Sequence, residues 1–111
     1  MDWGIRMKDC YGIYGIWIDN ELVYIGKTIC SFWTRFQQHK SGVKNQGGDL
    51  YLGIKAAKKL GKIVEAKPIL SFDLETKEYS DRDLSCMEYA LIKVLKPKYN
   101  KEGSRSRGFR F

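Results

Sequence analysis

Five side chains stand out by type and order as groups that could hold an anion and move protons: Tyr14, Tyr24, Arg35, His39 and Glu88. A guanidinium presents a planar fork of donors that matches the oxygens of a phosphate. A carboxylate can hold a hard divalent cation. Tyrosine and histidine can transfer protons, but an unperturbed phenol, with a pKa of about 10, is a weak base at neutral pH and needs positive charge nearby. Lys27 and Asn100 are the supporting candidates.

Most of these residues also have a structural interpretation. Paired tyrosines on neighbouring strands usually pack against each other. Glu88 could form a core salt bridge, and Asn100, which follows Pro97 closely, could cap a turn. Sequence position alone leaves both interpretations open.

The tyrosines fall in a segment that predicts a β-hairpin, because "YGIYGIWI" at 11–18 and "LVYI" at 22–25 are rich in β-branched and aromatic residues. A three-residue loop at 19–21 would place Tyr14 and Tyr24 on the same face of the sheet. A two-residue turn at Asp19-Asn20 would place them on opposite faces. The sequence does not choose between these registers.

Two helices are predicted next. Ser31 can cap a helix that ends near Ser41-Gly42. A Gly- and Asn-containing loop is predicted over 42–49. A short helix over 50–62 then has a solvated basic face. One stripe of the first helix consists of Phe32, Arg35, Phe36 and His39. The basic face of the second consists of Lys55, Lys58, Lys59 and Lys62.

A third strand over 63–72 is predicted at a sheet edge because it contains Pro68. Ser80 then begins the strongest helix, which Pro97 ends. Glu88 lies four residues after Leu84, inside the apolar stripe of this helix. An unpaired buried charge costs several kcal/mol, so we expect Glu88 to be paired, metal-bound or turned toward solvent.

Length and charge define the class of protein. With 111 residues and a formal charge of +7, we expect one domain over 1–100, a basic, flexible tail over 101–111 and a polyanionic partner. Three cysteines without a CxxC pair predict a reducing, cytoplasmic location, with Cys30 and Cys86 in the core. No apolar run is long enough for a membrane span or a signal peptide.

The order of these residues resembles the GIY-YIG nuclease domain. The resemblance covers about residues 11–100: "GIY" at 12–14, "YIG" at 24–26, a helix with R-x3-H, a helical glutamate and then "PKYN". It implies an α+β fold, with a small three-stranded antiparallel sheet flanked by helices. It also implies phosphodiester hydrolysis with one divalent metal, Mg²⁺ or Mn²⁺.

Carried over to this chain, the resemblance implies that Glu88 ligates the metal and Arg35 contacts the scissile phosphate. Tyr14 or Tyr24 would activate or position the attacking water, with His39 as another proton relay. Lys27 and Asn100 would support them. We expect nucleic acid, DNA rather than RNA, to contact basic residues: Lys27, Arg35, Lys40, Lys58, Lys59, Arg105 and Arg107.

The resemblance does not define which nucleic-acid sequence or structure the protein would cleave, and two other classes of protein also fit the sequence. A stand-alone domain of this kind would cut loosely, dimerise, use its own loops or borrow a partner protein, as in phage-borne or mobile-element nucleases, restriction enzymes and repair nucleases. Asp49 with Glu65-Ala66-Lys67 weakly resembles a PD-(D/E)XK nuclease. A non-catalytic nucleic-acid-binding module, or an inhibitor that retains the nuclease fold, is the alternative from another class.

Overall fold

The computed structural model describes residues 7–45 and 47–100, which form an α+β fold with one three-stranded antiparallel sheet and three helices. This confirms the predicted fold class. The tail over 101–111 lies outside the described residues. The elements in chain order are β1 (Cys10–Ile18), β2 (Glu21–Thr28), α1 (Phe32–Asn45), α2 (Asp49–Lys59), β3 (Val64–Asp73) and α3 (Asp81–Leu95).

The strand order is β2-β1-β3, so β1 is the central strand and is buried on both faces. This explains why its sequence is apolar at almost every position. β3 is an edge strand, as Pro68 predicts, and the pairing with β1 shifts register beside this proline, between Ile13 and Tyr14. A proline is tolerated there because an edge strand and a bulge each leave backbone N–H groups unpaired.

The hairpin register places both tyrosines on one face of the sheet by a route that the sequence did not suggest. The turn has two residues, Asp19 and Asn20, both at positive φ (48° and 70°), and Ile18 pairs with Glu21. Positive φ at both central positions is typical of a tight hairpin turn. A register shift then leaves one extra residue in β2, Val23, between the pairs of Ile16 and Trp17. This bulge restores the parity that the short turn alone would have lost.

Two glycines of the hairpin motif make room for neighbouring groups. Gly26 is the Cα partner of Tyr14, and a Cβ atom there would overlap the Tyr14 ring and hydroxyl. Gly12 has φ +145°, and a Cβ atom there would overlap the Leu70 carbonyl of β3. Gly26 therefore provides the space across the strand pair that the Tyr14 phenol occupies, and Gly12 allows β1 and β3 to approach closely.

α1 and α2 cover one face of the sheet, where Tyr14, Ile16 and Phe32 belong to a buried cluster. α1 extends to Asn45, so the predicted end near Ser41-Gly42 and the long loop over 42–49 were wrong. A Cβ atom on Gly42 would overlap the ring of Tyr51. The glycine therefore permits close packing of α1 on α2, and it does not end the helix.

α3 covers the other face, where Leu84 joins a second buried cluster with Ile13 and Ile25. Ser80 caps it through a capping box with Asp83, as the start of the best-predicted helix requires. Cys30 and Cys86 are exposed, so the prediction that they lie in the core was wrong. None of the helices over 7–45 and 47–100 is long and apolar enough to cross a membrane.

Candidate active site

Tyr14 is the centre of a polar network inside the α1 face of the sheet. Its side chain is fully buried. Its hydroxyl accepts a hydrogen bond from Arg35 Nε at 3.1 Å and lies 2.6 Å from His39 Nε2. Both partners come from α1, where Arg35 and His39 are four residues apart and therefore lie on one side of the helix.

His39 joins two phenols, because its Nδ1 atom lies 3.0 Å from the Tyr51 hydroxyl on α2. In a neutral imidazole one ring nitrogen donates and the other accepts, so a proton can pass between Tyr14 and Tyr51 through the ring. Burial, with the nearby Arg35 charge, lowers the pKa of His39 to about 4. The imidazole is therefore neutral at physiological pH, and it can relay a proton only by releasing one from its other ring nitrogen as it accepts one.

Tyr24 lies beside this network on the same face, with its ring centroid 6.3 Å from Tyr14 and 5.8 Å from His39. Burial raises the pKa of both tyrosines, and the charge of Glu88 raises that of Tyr24 further. Tyr24 is only partly buried, whereas Tyr14 is enclosed. Tyr24 is consequently the phenol that solvent reaches.

Glu88 of α3 is a carboxylate without a protein partner in the part of the chain that the structure describes. It is half-buried, and it forms no hydrogen bond or ion pair with the residues that the structure describes. Burial raises its pKa, while the charges of Lys27 and Arg35 act in the opposite direction. A half-buried carboxylate without a protein partner can hold a hard cation such as Mg²⁺ or Mn²⁺ that takes its other ligands from water.

The ligand set for a metal is small. Among the described residues no group of three or more His, Cys, Asp or Glu side chains is placed to hold an ion. Glu65, from the weak PD-(D/E)XK pattern, lies exposed on the edge strand with its carboxylate 3.9 Å from Lys67 Nζ. The residues over 7–45 and 47–100 therefore form no multi-carboxylate centre.

Lys27 lies at the margin of the site and donates to Asp81 Oδ1 at 2.8 Å. Asp81 is in the first turn of α3, two turns before Glu88, and its charge also raises the pKa of Glu88. The ion pair is exposed, so it contributes little to stability. The ion pair does hold the Lys27 ammonium group where its charge acts on Glu88.

Asn100 has a backbone role. Its side-chain amide accepts from Ile25 N at 2.6 Å and donates to Ile25 O at 2.8 Å, and Tyr99 N donates to Val23 O at 2.8 Å. These bonds pair the free edge of β2 as a further strand would. The clamp holds the strand segment that carries Tyr24.

The remaining predicted contacts for nucleic acid divide into three groups. Lys27 and Arg35 belong to the site described above. Lys40 and Lys58 line a cavity between α1, α2 and β3, which Lys59 does not line. Arg105 and Arg107 lie outside the described residues.

Sequence reasoning missed Tyr51 and Asp81. Asp81 could have been found, because a spacing of seven residues places it on the same side of α3 as Glu88. Tyr51 gave no such signal. Its partner His39 is on another helix, and an aromatic residue on an amphipathic helix reads as core.

Comparison with known proteins gives no further guidance: no family model matches the chain, and neither curated proteins nor solved structures give a match. The functional argument therefore depends on the geometry of the site itself.

Proposed function

We propose that the protein is a divalent-metal-dependent endonuclease of the GIY-YIG type. The observation that carries the proposal is convergence. Tyr14, Arg35 and His39 are joined by hydrogen bonds, Tyr24 packs beside them, and the charge of Glu88 on α3 acts on both Tyr24 and Tyr14. Separate structural roles would not require groups for anion binding, proton transfer and metal ligation to share one place.

Arg35 is suited to the scissile phosphate. Its Nε atom is used by Tyr14 and Nη1 donates to Gln38 Oε1 at 2.9 Å, while Nη2 has no hydrogen-bond partner among the described residues. The guanidinium is therefore held by two side chains, and Nη2 would be left to donate to a phosphate oxygen. A fixed cation stabilises charge that develops on the nonbridging oxygens.

The tyrosine and histidine network is suited to remove a proton from water. Tyr24, which solvent reaches, would position the attacking water. Tyr24 would take a proton from this water while passing its own to the neighbouring Tyr14, and Tyr14 would pass its proton to His39 Nε2 at 2.6 Å. His39 would at the same time release its Nδ1 proton toward the Tyr51 hydroxyl at 3.0 Å, and the partly exposed Tyr51 would lose its own proton to solvent. The relay therefore avoids both a free phenolate and an imidazolium, which the raised pKa of Tyr14 and the lowered pKa of His39 disfavour.

Glu88 would hold Mg²⁺ or Mn²⁺ through its unpartnered carboxylate. The bound ion would supply charge neutralisation at the phosphate and help for the leaving oxygen. Lys27, fixed by Asp81, adds positive charge on the same side. Nucleic acid, with DNA the expected substrate, fits the formal charge of +7.

The test is cleavage of a mixed panel of plasmid, linear duplex, single-stranded DNA, branched DNA and RNA, with Mg²⁺, Mn²⁺ or EDTA. We expect cleavage that requires metal and is lost in Glu88→Ala and in Arg35→Ala. Arg82→Ala is the matched control, because it removes one exposed positive charge from α3 outside the site. Absence of cleavage of any substrate, with tight binding by all four proteins, would instead support a non-catalytic binding module.

A further inference from the structure

A cavity of about 340 Å³ opens between α1, α2 and β3, next to the candidate active site. Its volume lies near the lower end of the range of about 300–1,000 Å³ that is typical of sites for small molecules. Its wall is mainly apolar and includes the phenyl ring of Phe36. The residues of this wall are Ile16, Phe36, Val43, Ile54, Val64 and Ala66.

The mouth of the cavity is strongly basic. Lys40 and Lys44 of α1, with Lys58 and Lys62 at the end of α2, also line it, against the single carboxylate of Glu65. All four lysines are exposed, so their ammonium groups can meet a ligand without leaving water. The cavity therefore combines an apolar interior with a positive entrance.

A second, polar depression of about 300 Å³ adjoins the entrance. It is lined by Gln37, Lys40, Ser41 and Lys44, so it shares two lysines with the apolar cavity. A ligand whose apolar part entered the cavity would carry its anionic groups across these shared lysines. The matching ligand has a compact, largely apolar body with negative charges a short distance from it.

We propose that this cavity takes an unpaired nucleobase of a nucleic-acid strand, with the flanking phosphates on the lysines at its entrance. A base has a flat π-face that can pack against Phe36 and aliphatic side chains, and its strand carries a charge on each side of it. A base inside a duplex cannot enter a cavity in the protein without leaving its stack. The cavity therefore selects strands with unpaired nucleotides, such as single-stranded or branched substrates.

His39 connects the cavity to the chemistry. It lines the cavity and also bonds Tyr14 through Nε2. A base seated there lies against the imidazole of the proton relay and places its own strand at the site. The inference rests on the proposed function, because nuclease activity is what makes nucleic acid the ligand.

The experiment compares the affinity of the protein for two short single-stranded oligonucleotides in EDTA, where no cleavage is expected. One oligonucleotide carries bases throughout, and the other has abasic sugar-phosphate units at its centre. We expect the first to bind at least about fivefold more tightly, since stacking of one base contributes about 1–3 kcal/mol.

Val43→Trp fills the cavity from a partly exposed helix position and should abolish this preference; Ala66→Leu fills it from β3 and provides a second variant if the first does not fold. Lys58→Ala/Lys62→Ala should weaken binding of both oligonucleotides. Lys55→Ala/Lys93→Ala removes the same charge from residues that do not line the cavity and should keep the preference for bases.

Equal binding of the two oligonucleotides by the unmodified protein would overturn the inference, as would a preference that survives in the folded cavity-filling variants. Displacement of the oligonucleotide by a straight-chain fatty-acid anion, but not by a nucleoside monophosphate, would also overturn it. Metal-dependent cleavage without any base preference would refute the cavity proposal and leave the nuclease proposal intact. A base preference in a protein that never cleaves would refute the nuclease proposal and leave the cavity proposal intact.

Discussion

Tyr11 and Tyr14 lie three residues apart on the same strand and are both almost completely buried, yet they belong to different kinds of region. On the α3 face, the Tyr11 hydroxyl donates to the Tyr79 carbonyl at 3.0 Å and accepts from Tyr79 N at 2.8 Å. On the α1 face, Tyr14 bonds only ionisable side chains, Arg35 and His39.

The difference lies in what each hydroxyl holds. Tyr11 satisfies backbone groups that would otherwise be buried without partners, which is a structural task. Tyr14 is linked to groups that can change protonation, at the burial cost that its raised pKa reflects. Residue type and burial are the same in both cases, so the hydrogen-bond partners separate a structural tyrosine from a candidate catalytic one.

The largest expected effect comes from removing each hydroxyl in turn. Tyr14→Phe should lower the cleavage rate by about 10²–10⁴-fold, because it interrupts proton transfer. Tyr11→Phe should lower the free energy of unfolding by about 1–3 kcal/mol and leave the rate per folded molecule unchanged. Initial rates and urea denaturation of both variants measure this. A similar loss of rate in both variants would erase the distinction between the two regions.

Asn100 sharpens the comparison, because it belongs with Tyr11 as a residue that bonds backbone. Asn100→Ala leaves Ile25 N–H and C=O without their partner and should lower the free energy of unfolding by about 2–4 kcal/mol. Asn45→Ala, at the exposed end of α1, should change it by less than about 0.5 kcal/mol. If Asn100→Ala instead lost cleavage at unchanged stability, the asparagine would belong to the chemistry.

His39 tests the other region through pH. Its pKa is lowered to about 4 in the folded protein, against about 6.5 when unfolded, so the unfolded chain binds the proton first as the pH falls. Stability should therefore decrease between about pH 6.5 and pH 4, by at most about 3 kcal/mol.

This loss should be absent from His39→Gln, and the difference between the two proteins isolates it from the titration of Glu88 and other groups. Urea denaturation at several pH values provides the measurement. Parallel stability profiles for the two proteins would show that the imidazole is not held neutral by its surroundings.

Much of the fold follows from local sequence signals. The hairpin, the capped helix at Ser80 and the edge position implied by Pro68 each depend on neighbouring residues, and the structure confirms them. The end of α1 could not be predicted, because Gly42 is needed for contact with Tyr51 on another helix. A glycine that permits close packing and one that ends a helix look the same in a sequence.

The sequence indicated which residues belong to the candidate site, but it did not indicate which of them contact each other. Order and spacing indicated Arg35, His39 and Glu88, whereas the common face of the two tyrosines depends on a bulge at Val23 that no residue type signals. The Tyr51 partner of His39 likewise arises from helix packing. Tertiary contacts, not local propensity, decide which hydroxyl meets which nitrogen.

The central claim, that Glu88 anchors a one-metal nuclease site near Tyr24, Lys27 and Arg35, is tested most directly by comparing Glu88→Gln with Glu65→Gln. Both substitutions remove one carboxylate charge and keep the side-chain shape. At saturating Mg²⁺, the cleavage rate of Glu88→Gln should fall by about a thousandfold or more, with stability unchanged or higher, because burial disfavours the charged carboxylate. Glu65→Gln should cleave like the unmodified protein. Cleavage that survives in Glu88→Gln and disappears in Glu65→Gln would contradict the account and move the metal site to β3.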